Sequence, residues 1–209
     1  MGTTSNPKLS LIETRTDKLD ENSPNEYIAL SHPWGNPKEH PPFRTVQRKL
    51  VQFKAAIPEH ELPATFKDAV HTTRALGIRY LWIDSLCIIQ KDGEDDGDFS
   101  EESKRMEDVF SCAYCVIAAS RASGQRDGFL KPLPARQYLT FQRGTESPFY
   151  LCQIIDRFSE DVIKGSLNRR GWVLQERALA RRTVYFTENQ TYFECGHGVR
   201  CQTLVKMQK

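Results

Sequence analysis

Residues Arg79-Tyr80-Leu81-Trp82-Ile83-Asp84-Ser85-Leu86-Cys87-Ile88-Ile89-Gln90 constrain the fold more than any other stretch of this chain. An unbroken apolar, β-prone run stops at an abrupt acid–hydroxyl step. A continuous run with little polar alternation suits a strand buried on both faces, in a sheet covered by helices above and below. In open α/β sheets, ligands gather outside the carboxyl ends of the strands. Asp84 and Ser85 stand where this strand should end, so they are the first candidates for chemistry.

The rest of the chain supplies the partners such a strand needs. Tyr27 to Ser31 reads as a second buried strand, broken by His32-Pro33-Trp34-Gly35, where Pro and Gly punctuate. A Pro-rich loop covers 36–43. Helices are predicted over 45–57 and after Pro63, the latter with Phe66, Ala69, Val70, Thr73 and Leu76 on one face and Gly77 as its stop. An acidic turn at 91–98 leads to a helix near 99–111, with Met106, Val109 and Phe110 inward, and then to a strand over 115–119. Residues 121–148 lack periodicity and read as a loop excursion; 149–155 is strand-like. A short helix over 170–180 precedes strands at 183–187 and 191–195, joined as an antiparallel hairpin across Asn189-Gln190. This alternation predicts an α/β fold: a mainly parallel central sheet flanked by helices, right-handed crossovers, and a C-terminal β-hairpin. One domain is expected over 26–205, after a polar leader (1–25) with room for an edge strand and before a short tail (206–209). No closing cap precedes Lys209, so the chain reads as a piece of a longer protein.

Composition removes several function classes. Across 209 residues the formal net charge is +2, and no Lys/Arg block is long enough to serve as a nucleic-acid arm. No run of 18 apolar residues offers a membrane span. The first residues lack the charged and apolar regions of a signal peptide, and Asn6 replaces the Ser or Thr of a myristoylation motif. The expected location is cytoplasmic, with no nucleic acid and no membrane among the partners. There is no G-x-x-x-x-G-K-[ST] phosphate loop, and no Ser–His–Asp or Cys–His arrangement stands out.

Metal binding is not expected. Cys87, Cys112, Cys115 and Cys152 lie in or beside apolar segments, where free cysteine acts as a small hydrophobe. Cys112-Ala-Tyr-Cys115 has C-x-x-C spacing and could be completed by Cys195, His197 and Cys201, but the second half lacks knuckle spacing. Asp92-Gly-Glu94-Asp-Asp96-Gly97 resembles the opening of a calcium loop, yet its twelfth position is Ser103 rather than Glu. The acidic run reads as a solvated turn.

Several blocks, taken in order, resemble the HET (heterokaryon incompatibility) domain of filamentous fungi. They are Tyr27-Ile-Ala-Leu-Ser-His-Pro-Trp-Gly35, Leu62-Pro63-x-Thr65-x-x-Asp68-Ala69-Val70 and Leu76-Gly77 through Gln90. Met106, Val109-Phe110 and Ala113 follow, and last comes Arg170-Gly-Trp-Val-Leu-Gln-Glu-Arg177. His32-Pro33 departs from the family, which more often has an aromatic and a cysteine there. The resemblance implies an effector of regulated cell death after non-self recognition, tied to nucleotide-binding receptor modules or an incompatibility partner. It also implies a distant likeness to TIR domains, with a TIR- or flavodoxin-like fold. Some TIR domains cleave NAD⁺ with a glutamate on a short helix, in assemblies. By that analogy Glu176 would be catalytic, NAD⁺ or a related nucleotide a substrate rather than a cofactor, and self-association a requirement.

The residues carry their own argument. On a helix over 170–180, the neighbours of Glu176 at three and four positions are Trp172, Val173, Leu179 and Ala180, none of them cationic. A desolvated carboxyl with no helical ion-pair partner would have a raised pKa, as functional carboxyls often do. The alternative is a tertiary salt bridge to Arg170, Arg181 or Arg182, or a plain exposed side chain. The lining expected for a substrate is Ser31, Trp34, Gly35, Asp84, Ser85, Trp172 and Arg170. Trp34 or Trp172 would stack on a ring, Arg170 would hold phosphate, and Gly35 would allow close backbone approach. Against this, Trp34 could plug the core edge, Ser31 and Asp84 could cap their own turns, and Gln90 is expected to bond loop backbone.

Overall fold

A computed structural model describes residues 8–14, 25–135, 137–152, 155–202 and 206–207, without the side chains of Cys152, Trp172, Gln175, Lys206 and Met207. Strand β1 (Tyr27–Ser31) is the hub of the sheet. It pairs in parallel with β2 (Tyr80–Ile83) on one side and with β3 (Cys115–Ala118) on the other. Two further strands, β4 (Tyr138–Phe141) and β5 (Phe149–Cys152), form a separate antiparallel pair. The main sheet continues through β6 (Arg182–Phe186), parallel to β3, and then antiparallel through β7 (Thr191–Cys195), β8 (Gly198–Cys201) and β9 (Lys206–Met207). Its order is β2-β1-β3-β6-β7-β8-β9.

Period-two alternation sends the residues of β1 to two different cores. Ile28 and Leu30 meet Phe53 of α1 (Gln47–Ala55) and Phe66, Ala69 and Val70 of α2 (Ala64–Ala75). Asp84–Cys87 (α3) is a single turn closing β2, and Phe99–Glu102 (α4) leads into α5 (Met106–Cys112). Ala29 and Val116 face the opposite way, onto Met106 and Phe110 of α5, with Leu179 of α6 (Gly171–Leu179) alongside. A third cluster, with Val173, Tyr185, Tyr192 and Val199, sits under the start of α6.

The chain therefore leaves β1 over one face to reach β2, and returns over the other face to β3. That arrangement makes a topological switch point between β1 and β3, the crevice where doubly wound sheets take their ligands. It is the α/β, mainly parallel architecture the pattern of elements predicts.

Several details differ from expectation. The apolar run through Trp82 forms the sheet's edge, not its centre. Leu81 packs on the α1/α2 core while Trp82 meets Phe110 edge-on at 5.6 Å, so the run records cover on both faces rather than rank in the strand order. The helix expected over 99–111 is broken by a 3₁₀ turn at Ser103–Arg105. The excursion at 121–148 contains β4, and the tail at 206–209 contains β9, so the C-terminal hairpin is the start of a longer antiparallel run. In the leader, Leu9 and Leu11 pack on the core and bond across the end of α1, Ile57 N–H donating to the Leu9 carbonyl at 2.8 Å, without forming a strand; residues 15–24 lie outside the described residues. No helix among the described residues is long and apolar enough to cross a membrane.

Candidate functional site

At the top of β1 the chain turns sharply, and its alternation splits the next two side chains. Ser31, on the face of Ala29, points toward α6. His32, on the opposite face, is packed edge-on against Phe66 with ring centroids 5.0 Å apart. The end of β2 brings Asp84 beside this turn. Its Oδ2 accepts the Trp34 indole N–H at 2.7 Å, and its Oδ1 accepts the Ser85 backbone N–H at 2.6 Å. His32 Nδ1 lies 3.8 Å from Asp84 Oδ1. From the far side, Arg170, just before α6, donates from Nη1 to the His32 carbonyl at 2.7 Å. Four segments distant in sequence thus meet at the ends of β1 and β2.

Helix α6 lays Glu176 into the same place. Val173, one turn earlier, is buried in the third cluster, which fixes the face of α6 that meets the sheet. Glu176 follows on that face and lines a cavity with Ser31, Val116, Ala118, Asn168 and Thr183. The cavity is about 10 Å³, at the lower limit for one water. Burial pushes the Glu176 carboxyl up to about 7, the nearby Asp84 charge adds to the rise, and the Ser31 hydroxyl and the Arg170 charge oppose it. Burial also holds the His32 imidazole below its ordinary range, with Arg170 assisting and Asp84 opposing, so the ring is neutral at pH 7.

What sets this spot apart is unmet hydrogen-bonding capacity. Six buried side-chain polar atoms among the described residues have no partner. Four of them are Ser31 Oγ, Glu176 Oε2 and the two ring nitrogens of His32. Buried polar atoms are ordinarily paired, and these four collect at one strand-end crevice.

The expected site residues do not all converge. Ser31, Asp84, Arg170 and Glu176 do, with Trp34 held at the margin through Asp84. Ser85 does not: it is fully buried, its Oγ accepts from Gln125 Nε2 at 3.5 Å, and its carbonyl accepts from Thr45 N–H at 2.9 Å. That residue ties the β2 end to the neighbouring loops. Gly35 allows a close approach, but of another loop. At φ 86°, a Cβ on it would stand 3.2 Å from the Gly124 Cα, so the space a ligand would use is filled by backbone. The Trp172 side chain lies outside the described residues. None of the salt bridges weighed for Glu176 forms among the described residues; Arg170 is spent on the His32 carbonyl and Arg182 on the Tyr114 carbonyl and ring.

His32 is the residue the pattern missed. Its signal is the departure from the family's usual aromatic at that turn, which puts a titratable ring where an inert one would serve. The Thr65/Asp68 block proves to be a latch. Asp68 Oδ2 accepts the Phe129 and Leu130 N–H groups at 2.6 and 2.9 Å, pinning the loop after β3 onto α2. Gln90 bonds the Ile88 carbonyl at 3.1 Å, and the Asp92–Asp96 turn carries only exposed pairs to Arg48 and Lys91.

No group of three or more His, Cys, Asp or Glu side chains among the described residues could hold a metal ion. Cys115 and Cys201 are buried, whereas Cys112 is exposed. Cys87 is likewise exposed overall, though its sulfur turns in under the Ile83 N–H and burial pushes the thiol up to about 11. Cys152's side chain lies outside the described residues.

Fold and site together define a doubly wound α/β domain with polar groups collected at the switch point of its sheet. Residues 27–176 match the family model of the heterokaryon incompatibility protein (HET), and the chain belongs to that family. The match begins with β1 and ends on Glu176, taking in the ends of β1 and β2 and the Arg170–Glu176 stretch but not Thr183 of β6. No curated protein and no solved structure matches the chain.

Proposed function

We propose that this HET domain, whose family assigns it to heterokaryon incompatibility, acts by hydrolysing the nicotinamide N-glycosidic bond of NAD⁺ or a related nucleotide, with Glu176 as the catalytic carboxylate. The observation that carries this reading is Glu176 itself: half-buried, with its Oε2 shut away from solvent beside Ser31 at a strand-end crevice, no ion-pair partner among the described residues, and a carboxyl that burial pushes up to about 7. The distant TIR likeness supports it by analogy.

The chemistry suits one carboxylate. Ordinary glycosidases need a second acid because an alkoxide leaving group must be protonated. Here the C1′–N bond breaks with its electron pair going to the nicotinamide ring, which leaves neutral. The ribose becomes an oxocarbenium ion, and water adds to C1′ with loss of one proton. Ionised Glu176 stabilises the developing positive charge, worth far more in a dry site than in water. Ser31 and Asp84 orient ribose hydroxyls, and Arg170, which gives only Nη1 to the His32 carbonyl, meets the pyrophosphate with its remaining N–H groups. The cavity beside Glu176 is too small for ribose, so the 167–179 segment must shift outward to admit substrate. That requirement fits a domain switched on by assembly with copies of itself or with a receptor module in the cytoplasm.

A second reading has its own observation. The same closed cavity suits a non-enzymatic module that signals through homotypic contacts. Incubating concentrated protein with NAD⁺ and following nicotinamide release separates the two. The hydrolase reading expects release by the parent and at least a 100-fold loss in Glu176→Gln. Equal rates for both, or cell death undiminished by the substitution, would leave the adaptor reading.

A further inference from the structure

The β4–β5 hairpin holds its apolar side chains away from every core. Its strands, Tyr138-Leu139-Thr140-Phe141 and Phe149-Tyr150-Leu151-Cys152, contain no charged residue. Neither strand contributes to any of the three clusters, and every described side chain in them is exposed. Register sets Leu139 opposite Leu151 and Phe141 opposite Phe149, so these four share one face. They are 63%, 57%, 44% and 63% exposed respectively, and the two Phe rings stack at 5.2 Å. A lone two-stranded hairpin is marginally stable in water, and contiguous exposed apolar patches mark interaction surfaces. Natural edge strands are usually blunted by charge, and these are not.

The tip indicates what covers this face. Arg143 and Glu146 flank the turn, which is closed by Glu146 N–H donating to the Arg143 carbonyl at 3.1 Å. Both are exposed, and neither has an ion-pair partner among the described residues. The geometry points to a second copy of this chain, its hairpin stacked on the first by the Leu139/Phe141/Phe149/Leu151 face about a two-fold axis running along the strands. That operation sets Phe141 over the partner's Phe149, Leu139 over the partner's Leu151, and Arg143 against the partner's Glu146, each pair occurring twice by symmetry. The oppositely charged tip is thus complementary to itself. The four side chains supply roughly 450 Å² of apolar area per chain, over half of the about 800 Å² each partner gives to a standard interface. Such an area supports a dimer that forms with rising concentration. The interface uses neither Glu176 nor the strand ends, so it holds whether or not the domain is an enzyme.

Sedimentation velocity across the micromolar range tests it. The parent is expected to pass from monomer to dimer, and Leu151→Asp to stay monomeric with an unchanged melting temperature, since the hairpin lies outside the cores. Arg143→Glu is expected to weaken association roughly tenfold by setting two like-charged pairs face to face, and adding Glu146→Arg to restore it. A parent monomeric at every concentration overturns the proposal. So does a dimer indifferent to Leu151→Asp, or a charge reversal that the second reversal does not rescue.

Discussion

Glu176 and Arg177 are neighbours on one helix, and the protein treats their charges in opposite ways. Arg177 forms a two-pronged pair with Glu194, Nη2 to Oε1 and Nε to Oε2 both at 3.0 Å, while Tyr185 donates to the same carboxylate at 2.8 Å. Its guanidinium also lies over the Phe158 ring at 5.6 Å. Both oxygens of the Glu194 carboxylate are thus answered, and the pairing raises the Arg177 pKa despite burial. Glu176, one residue earlier, has a buried oxygen with no partner and a pKa raised by burial. A helix that can satisfy one charge this completely is not short of means. Leaving the adjacent one unsatisfied costs stability, and such costs persist at functional sites.

The largest expected effect separates the two residues by function. Glu176→Gln should cut nicotinamide release at least 100-fold while preserving the fold, and kcat/KM of the parent should rise with pH through about 7 as the carboxyl ionises. Chromatographic assay of nicotinamide across pH 5–9 reads both. A pH-independent rate would detach Glu176 from the chemistry.

Stability should separate them in the opposite sense. Because the folded Glu176 holds its proton up to about pH 7 and the unfolded chain loses it near 4.5, its contribution is intact below pH 4.5. It is lost progressively between 4.5 and 7 and fully absent above, a deficit of up to about 3 kcal/mol. Glu176→Gln should therefore stabilise the protein at pH 8 and do little at pH 4, as urea titrations at the two pH values would reveal. Arg177→Met should destabilise by about 2 kcal/mol at neutral pH, since it removes the two charged hydrogen bonds from the half-buried Glu194 carboxylate and leaves the Tyr185 hydroxyl to serve it. If Arg177→Met proves neutral, the contrast between the neighbours fails.

The smallest effect concerns the electrostatic link between strand end and helix. Asp84 raises the Glu176 pKa, so Asp84→Asn should move the midpoint of the activity profile to lower pH while keeping an acceptor for the Trp34 indole. An upward shift would place Asp84 outside the field of Glu176.

Much of this contrast is legible in the chain itself. Glu176 is isolated because helical geometry gives it only Trp172, Val173, Leu179 and Ala180 as near neighbours, and that arithmetic needs no coordinates. The α/β alternation follows equally from local pattern. What local pattern does not carry is choice of partner. Nothing in Tyr80–Ile83 says whether the strand pairs on one side or two, so its place at the edge of the sheet is not legible in its own residues. Ser85 and Gly35 sit at strand ends as ligand residues would, but their neighbours Gln125 and Gly124 come from the loop after β3, brought there by the Asp68 latch. Strand β4 was hidden because its face is turned outward, so its apolar residues have no helix or strand elsewhere in the chain to rhyme with. His32 stands out in the sequence only as a departure from the family pattern and not as a site residue, because one polar residue at a turn looks like solvent exposure until burial is known.

The central claim is a carboxyl that burial moves from the ordinary 4.5 up to about 7, and side-chain carboxyl ¹³C NMR measures that directly. With glutamate labelled, the spectrum should contain one resonance with a midpoint near 7 that vanishes in Glu176→Gln. A full set of glutamates titrating near 4.5, unchanged by that substitution, would contradict it.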